Sequence, residues 1–297
     1  MDSSKILNGK EVAEFVNQRN STHVELLKEK NIQPGLVVVL VGDDPASAVY
    51  VRSKGRMCEK LGILSSTHAL PEETSESDLL QLIDKLNKDD KYNGILVQLP
   101  LPKHIDEQKV IEAINPLKDV DCFHPKNVGL LTIGSPYLLP CTPAGIVEIL
   151  KYYKIETSGK EVVVIGRSNI VGKPVANILL QKSKFANATV TIVHSRTQDI
   201  KKHTANADII VAAIGQANFL TSDMIKEGAV IIDVGINRVD DPTAKKGYRL
   251  KGDVDYDSVF EKSSAITPVP GGVGPMTIGM LMHNTIIAAA KQNGVDL

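Results

Sequence analysis

Residues 161–174, EVVVIGRSNIVGKP, restrict what this chain can fold into more than any other stretch. Val162 to Ile165 is a short β-branched apolar run, and Gly166 ends it. A helical pattern of Val175, Ile178 and Leu179 then opens from Gly172, with Pro174 near its first turn. Strand, glycine turn and helix together aim backbone N–H groups and a helix N-terminus at a phosphate. The spacing departs from G-x-G-x-x-G, because Ser168 stands where a second glycine belongs before Gly172. Alone, it describes an ordinary strand-to-helix turn equally well. The next strand, 188–193, tips the reading. An NAD site sets a carboxylate on the ribose 2′-hydroxyl just past that strand. Here His194, Ser195, Arg196 and Thr197 follow, and the first acid is Asp199. A hydroxyl beside an arginine suits a 2′-phosphate, and Arg167 of the first turn is expected to reach the same place. One arginine is an ordinary loop cation; two aimed at one pocket read as NADP in preference to NAD.

Strands and helices alternate on both sides of that stretch. After residue 161, strands are expected at 162–166, 189–193, 208–213, 230–234 and 265–269, the pattern of a doubly wound parallel sheet. Before it, strands are expected over 35–42, 64–70 and 94–99, with helices over 9–30, 45–61, 75–87, 106–114 and 143–153. Residues 115–142 read as an irregular loop, long enough to be functional. Residues 240–252 read as an exposed excursion and 276–291 as a final helix. At 297 residues more than one core is expected. The fold class is α/β with two domains: an N-terminal α/β catalytic domain of residues 1–142 plus the terminal helix 275–297, and a Rossmann-like doubly wound domain of residues 143–274, with a ligand cleft between them.

A net charge of −1 argues against nucleic acid or an anionic membrane as the main partner. Tryptophan is absent and aromatics make up 4% of the chain, which removes the stacking platform that single strands need. No apolar run is expected to reach membrane-spanning length, and the first residues lack the apolar core of a signal peptide. Cys58, Cys122 and Cys141 are odd in number and far apart. They fit neither a disulfide framework nor a zinc knuckle, and read as reduced thiols of a cytoplasmic protein. No metal site is read from the chain.

Candidate chemistry lies in the first half. On the helix 45–61, Tyr50, Lys54, Met57 and Leu61 recur at steps of four, three and four and are expected to share an inward stripe. A lysine on an apolar face either snorkels to water at a domain edge or is a partly desolvated amine that exchanges protons near neutrality. Gln98 ends the strand 94–99, where alternation turns a polar side chain into a crevice. Asp121, within DVDCFHP, is a candidate acid; Asp119 is an equal alternative, and either is also a common turn residue. His124 alone makes no metal site. Gly271-Gly272-Val273-Gly274, between Pro270 and Pro275, permits close backbone approach to a ligand.

These motifs, in order, resemble one family: bifunctional methylenetetrahydrofolate dehydrogenase/methenyltetrahydrofolate cyclohydrolase. The resemblance rests on YVRSK at 50–54, VQLPLP at 97–102, DVDCFHP at 119–125, PCTPAG at 140–145, GRSNIVGKP at 166–174, DVGINR at 233–238, GDVD at 252–255 and TPVPGGVGPMT at 267–277. It implies hydride transfer from 5,10-methylenetetrahydrofolate to NADP, then hydrolysis of the methenyl cation to 10-formyltetrahydrofolate. It implies that the folate lies in the cleft between the domains. Lys54 matches the family's catalytic lysine, Tyr50 its stacking tyrosine and Gln98 the glutamine that tunes the lysine. Asp121 matches the carboxylate that holds the pterin's amino edge. Gly271, Gly272 and Pro275 are implied to border the folate, and Thr142, Gly166, Arg167, Ser168, Ile170, Ser195, Arg196 and Ile236 to hold NADP. A homodimer through the second domain is implied as well. The competing readings are a monofunctional NAD-linked dehydrogenase and a shikimate-type dehydrogenase with a lysine–aspartate pair.

Overall fold

The computed structural model describes residues 3–244 and 247–297. The elements run α1 (Gly9–Glu29), β1 (Gly35–Val41), α2 (Pro45–Leu61), β2 (Leu64–Leu70), α3 (Glu76–Asn87), β3 (Gly94–Val97), α4 (Glu107–Ala113) and α5 (Pro125–Thr132). There follow α6 (Cys141–Tyr152), β4 (Glu161–Ile165), α7 (Gly172–Leu179), β5 (Thr189–Val193), α8 (Ile200–Thr204), β6 (Ile209–Ala212) and β7 (Val230–Asp233). The chain ends with β8 (Asn237–Asp240), β9 (Tyr248–Lys251), α9 (Tyr256–Phe260), β10 (Ala265–Ile266) and α10 (Val273–Gln292). It divides into two compact units: residues 14–141 with 278–297, and residues 1–13 with 142–277.

In the first unit the strand order is β2-β1-β3, all parallel. Every residue of β1 is buried, as a β-branched run in the middle of a parallel sheet must be. Val37, Val39 and Val41 pack with Leu79, Ile83 and Leu86 of α3, whose apolar positions recur at helical spacing. Asp44 caps α2, its carboxylate accepting the Ser47 N–H at 2.7 Å, and Gly62 closes the helix in the left-handed conformation. Because β2 and β3 lie on opposite sides of β1, the winding reverses between β1 and β3. The crevice at such a reversal is where ligands bind in open α/β sheets.

The second unit repeats the plan with order β10-β7-β6-β4-β5. Its reversal falls between β4 and β6, which pair from Val162↔Ile209 to Ile165↔Ala212. Val163, Ile165, Ile210, Ala212, Ile231 and Ile266 form its core with Phe260.

Several expectations need correction. The stretch 115–142 contains α5, started by His124, whose ring nitrogen accepts the Lys126 N–H at 3.0 Å, and by Pro125. Its eight residues are too few for a clear period. Of the expected excursion 240–252, Lys245 and Lys246 lie outside the described residues, while β8 and β9 form an antiparallel pair in which Arg238 stacks 4.1 Å over Tyr248. The strand 265–269 shortens to two residues, and α10 starts at Val273, so Pro275 lies inside its first turn, where a missing N–H costs nothing. α10 also reaches the length and composition of a membrane-spanning helix, contrary to expectation. However, 67% of that window is buried inside the protein, as in a core helix.

Candidate active site and nucleotide site

The buried positions of α2 are Ser47, Val51, Lys54, Cys58 and Leu61. The inward stripe therefore passes one residue beside Tyr50 and Met57. Tyr50 is 44% exposed, whereas Lys54 is 8% exposed. The lysine is the charged member of that buried helix face. Its Nζ donates to Gln98 Oε1 at 2.9 Å. Gln98 follows β3, its backbone N–H bonded to the Val39 carbonyl, and its side-chain Nε2 donates to the Leu99 carbonyl at 2.7 Å. That second bond orients the amide, so its oxygen faces the lysine.

Asp121 arrives on a segment bound to the same strand: the Ile95 N–H donates to the Lys118 carbonyl at 2.8 Å, and Ile95 bridges Asp119 in parallel register. Burial holds the Lys54 amine below the usual lysine range, against the opposing pull of the Asp121 carboxylate and the Cys141 sulfur. Burial likewise pushes the Asp121 carboxyl up, with Lys54 pulling it back down and Asp119 adding to the rise. Some surface of Asp121 remains accessible, yet its carboxyl lies deep enough that lost hydration outweighs the lysine. Both groups shift towards their neutral forms. Leu99, Val110, Ile111, Ile114 and Phe123 line a small apolar hollow beside Asp121.

Asp119 has different work. Its Oδ2 accepts the His124 N–H and an Asn127 Nδ2 hydrogen, both at 2.9 Å, so this carboxylate ties the loop into α5. Two residues not assigned to the site from sequence stand behind Asp121. Asn284 of α10, 2% exposed, donates both amide hydrogens, to the Val120 and Leu139 carbonyls at 2.8 Å each. The Cys141 thiol faces the Val120 carbonyl at 3.4 Å and hydrogen-bonds Asp121. Burial and the Asp121 charge push that thiol well above its ordinary value, so it serves as a donor and not as a nucleophile.

In the second unit, Gly166 takes φ +130°, and a Cβ there would run into the Ala213 carbonyl oxygen from the end of β6. Only glycine lets the turn after β4 pass so close to the neighbouring strand. The Ser168 hydroxyl accepts the Val171 and Gly172 N–H groups at 3.1 and 3.3 Å, and the Lys173 N–H bonds the Ser168 carbonyl. These first-turn amides are thus satisfied within the loop. The donors offered outward are side chains instead: Arg167, Ser195 and Arg196, all exposed. β4 and β5 pair in register up to Ile165↔Val193, so Arg167 and Arg196 follow adjacent strand ends. Asp199 accepts the Lys202 N–H as the cap of α8, and no acid stands at the ribose position between β5 and that cap. Two hydroxyls and two guanidiniums around a glycine turn fit a phosphorylated nucleotide. Ile170 and Ile236 are exposed at the same edges, Ile236 lying beside Gly274, and the Thr142 and Thr277 hydroxyls are 2.9 Å apart. Gly271, at φ +112°, and Gly272 precede α10, with Pro275 in its first turn. Among the described residues no group of acids, histidines and cysteines has the arrangement of a metal site.

Comparison with known proteins places these sites in context. Residues 7–121 match the tetrahydrofolate dehydrogenase/cyclohydrolase catalytic domain, and residues 140–293 match the NAD(P)-binding domain of the same family. The chain is 57% identical over 289 residues to the bifunctional protein FolD of Acetivibrio thermocellus, covering 97% of this chain and 98% of that one. The crystal structure of the bifunctional enzyme FolD, a methylenetetrahydrofolate dehydrogenase/cyclohydrolase, from Campylobacter jejuni superposes with TM-score 0.90 at 48% identity, covering 97% of this chain and 99% of that one. The Trypanosoma brucei methylenetetrahydrofolate dehydrogenase-cyclohydrolase, solved with NADP and an inhibitor, superposes with TM-score 0.91 at 39% identity, over 97% and 98% of the two chains.

Proposed function

The chain belongs to the tetrahydrofolate dehydrogenase/cyclohydrolase family, and from that premise we propose which of its residues carry each reaction. The protein is a bifunctional enzyme: it oxidises 5,10-methylenetetrahydrofolate with NADP and hydrolyses the 5,10-methenyl product to 10-formyltetrahydrofolate. The monofunctional and shikimate-type alternatives are not favoured. The unit of residues 14–141 and 278–297 is assigned the folate chemistry, and the unit of residues 1–13 and 142–277 the nucleotide.

Lys54 is assigned the proton transfers of the hydrolysis. Water adds to the cationic one-carbon bridge while the amine takes one of its protons; the bond to N5 then breaks, N5 receiving a proton as the new hydroxyl gives up its own and becomes the formyl carbonyl on N10. A neutral amine tolerates the methenyl cation better than an ammonium does, and it still donates one N–H to Gln98 while keeping its lone pair for water. Gln98 orients Lys54. Asp121 is assigned the pterin's amino edge, where paired N–H donors suit a carboxylate. Tyr50, exposed one turn before Lys54, is assigned the stacking role, and Gly271, Gly272 and Pro275 the folate border. Bound NADP accepts the hydride of the first reaction. Arg167, Ser195 and Arg196 are assigned its 2′-phosphate, with Gly166 and Ser168 shaping the loop and Thr142, Ile170 and Ile236 lining the site.

The observation that carries this assignment is the 2.9 Å contact of a buried lysine with an oriented glutamine. Replacing Lys54 by Met is expected to abolish hydrolysis of methenyltetrahydrofolate while folate binding persists. Wild-type hydrolysis by that variant removes Lys54 from the mechanism. A homodimer through the second unit is part of the proposal, supported by β5 as an exposed edge strand, and sedimentation of the protein tests it. A cytoplasmic location is supported by three buried, unpaired thiols.

A further inference from the structure

The carboxyl edge of the second unit's sheet holds two aspartates to which nothing above gives a role. Asp253 is 0% exposed and Asp233 2% exposed, and neither forms an ion pair among the described residues. A buried carboxylate without a cation is costly, so the groups it does bind reveal its purpose. Asp233 ends β7. Its Oδ1 accepts the N–H groups of Gly235 and Asp253 at 3.0 and 2.9 Å, and its Oδ2 that of Val254 at 3.1 Å. Its own N–H donates to the Thr267 hydroxyl at 2.7 Å. Asp253 Oδ2 accepts two successive N–H groups, of Ile214 at 2.7 Å and Gly215 at 2.8 Å, while Oδ1 accepts from the Asn237 side chain at 2.8 Å.

The pair therefore gathers the segments that follow β6, β7, β9 and β10. The packing is so close that a Cβ on Gly252 would collide with the Asp233 carboxylate. Burial pushes the Asp233 carboxyl up to about 7, with the Asp253 charge contributing. The loop after β6 is also the one against Gly166: the Ala213 N–H bonds the Ile165 carbonyl at 2.8 Å, and the Ala213 carbonyl fills the space a Cβ on Gly166 would need.

We propose that Asp253, held by Asp233, is a positioning residue for the dinucleotide. By fixing the N–H groups of residues 214 and 215, its carboxylate sets the loop that forms one wall of the Gly166 turn. The proposal rests on the assignment of NADP to that turn. It makes the dehydrogenase depend on two acids that need not touch cofactor, folate or reacting atoms.

The test pairs nucleotide affinity, followed by titration calorimetry with NADP, with hydrolysis of methenyltetrahydrofolate in the absence of nucleotide. Asp253→Asn puts an amide N–H against donors whichever way it turns. It is expected to weaken NADP binding by about tenfold or more and to leave nucleotide-free hydrolysis within about twofold of wild type. Adding Asn237→Asp in the same chain restores one donor–acceptor pair and is expected to recover affinity. Unchanged NADP affinity in the folded single variant overturns the proposal. So does a parallel fall of both readouts without rescue, since Asp253 would then only keep the protein folded. If Asp253→Asn does not accumulate, Asn237→Ala removes just one bond to the carboxylate: lower NADP affinity supports the proposal, and wild-type affinity overturns it. Failure of the unmodified protein to bind NADP would instead overturn the functional assignment beneath it.

Discussion

Lys54 sits under two opposed influences, and their balance makes the rate of hydrolysis a function of pH. An amine must be unprotonated to take a proton from water, so hydrolysis should rise with pH through the Lys54 titration, below the ordinary lysine value of 10.5. Asp121 favours the ammonium. Asp121→Asn removes that charge, lowers the lysine further and should move the rise to lower pH; a pH–rate profile moving upward would contradict the pairing. Arg196→Ala should raise the Michaelis constant for NADP by roughly 10- to 100-fold, the worth of a hydrogen bond to a charged group, with little change for NAD. An unchanged NADP constant removes Arg196 from the phosphate. At this scale the sequence was partly legible. Lys54 stood out as a cation among apolar neighbours, and the missing acid after β5 pointed to a phosphorylated ribose. Tyr50 was placed one step off the buried stripe, because Val51 and Cys58 fit an inward helical face equally well. Asn284, Asp233 and Asp253 offered little local signal of what they hold, since apart from Gly235, two residues after Asp233, their partners lie 16 to 164 residues away along the chain.

Between elements, long-range polar ties set the site. Asn284 fastens α10 to the carbonyls on either side of the Asp121 loop. Asn284→Ala takes the amide donor from both carbonyls, leaving Val120 only the weak Cys141 thiol, and should cost about 2 kcal/mol, read as a lower urea midpoint with an unchanged slope. The same variant should raise the folate Michaelis constant, and in an Asp121→Asn background it should raise it no further. Additive effects would mean that Asn284 does not act through Asp121. Long elements with one sharp period, such as β1 and α3, were readable from pattern. The short ones were not: α5 has eight residues and β10 two, too few for periodicity to separate them from loop.

For the molecule as a whole, ligand linkage provides a test. NADP at a hundredfold excess over its dissociation constant should stabilise the state that binds it by about 2.7 kcal/mol. Denaturation with and without NADP measures this, and Arg196→Ala should shrink the difference at the same nucleotide concentration. An equal gain in both proteins would leave the arginine without a share in binding. The chain's two halves were evident from length and alternation, because apolar strands bounded by glycine and helices at regular spacing admit few other architectures.

Neither unit is continuous in the chain: one takes its last piece from residues 278–297, the other its first from residues 1–13. A ribosome making this protein from the N-terminus therefore finishes no unit until late. The segment carrying Asp121 emerges well before Asn284 and must wait through the whole nucleotide unit for its brace. Cutting the gene at residue 141 yields two fragments, each missing part of its own wall. Deleting α10 from Asn284 onward removes that brace, so a change confined to the last helix should damage the half of the enzyme encoded earliest.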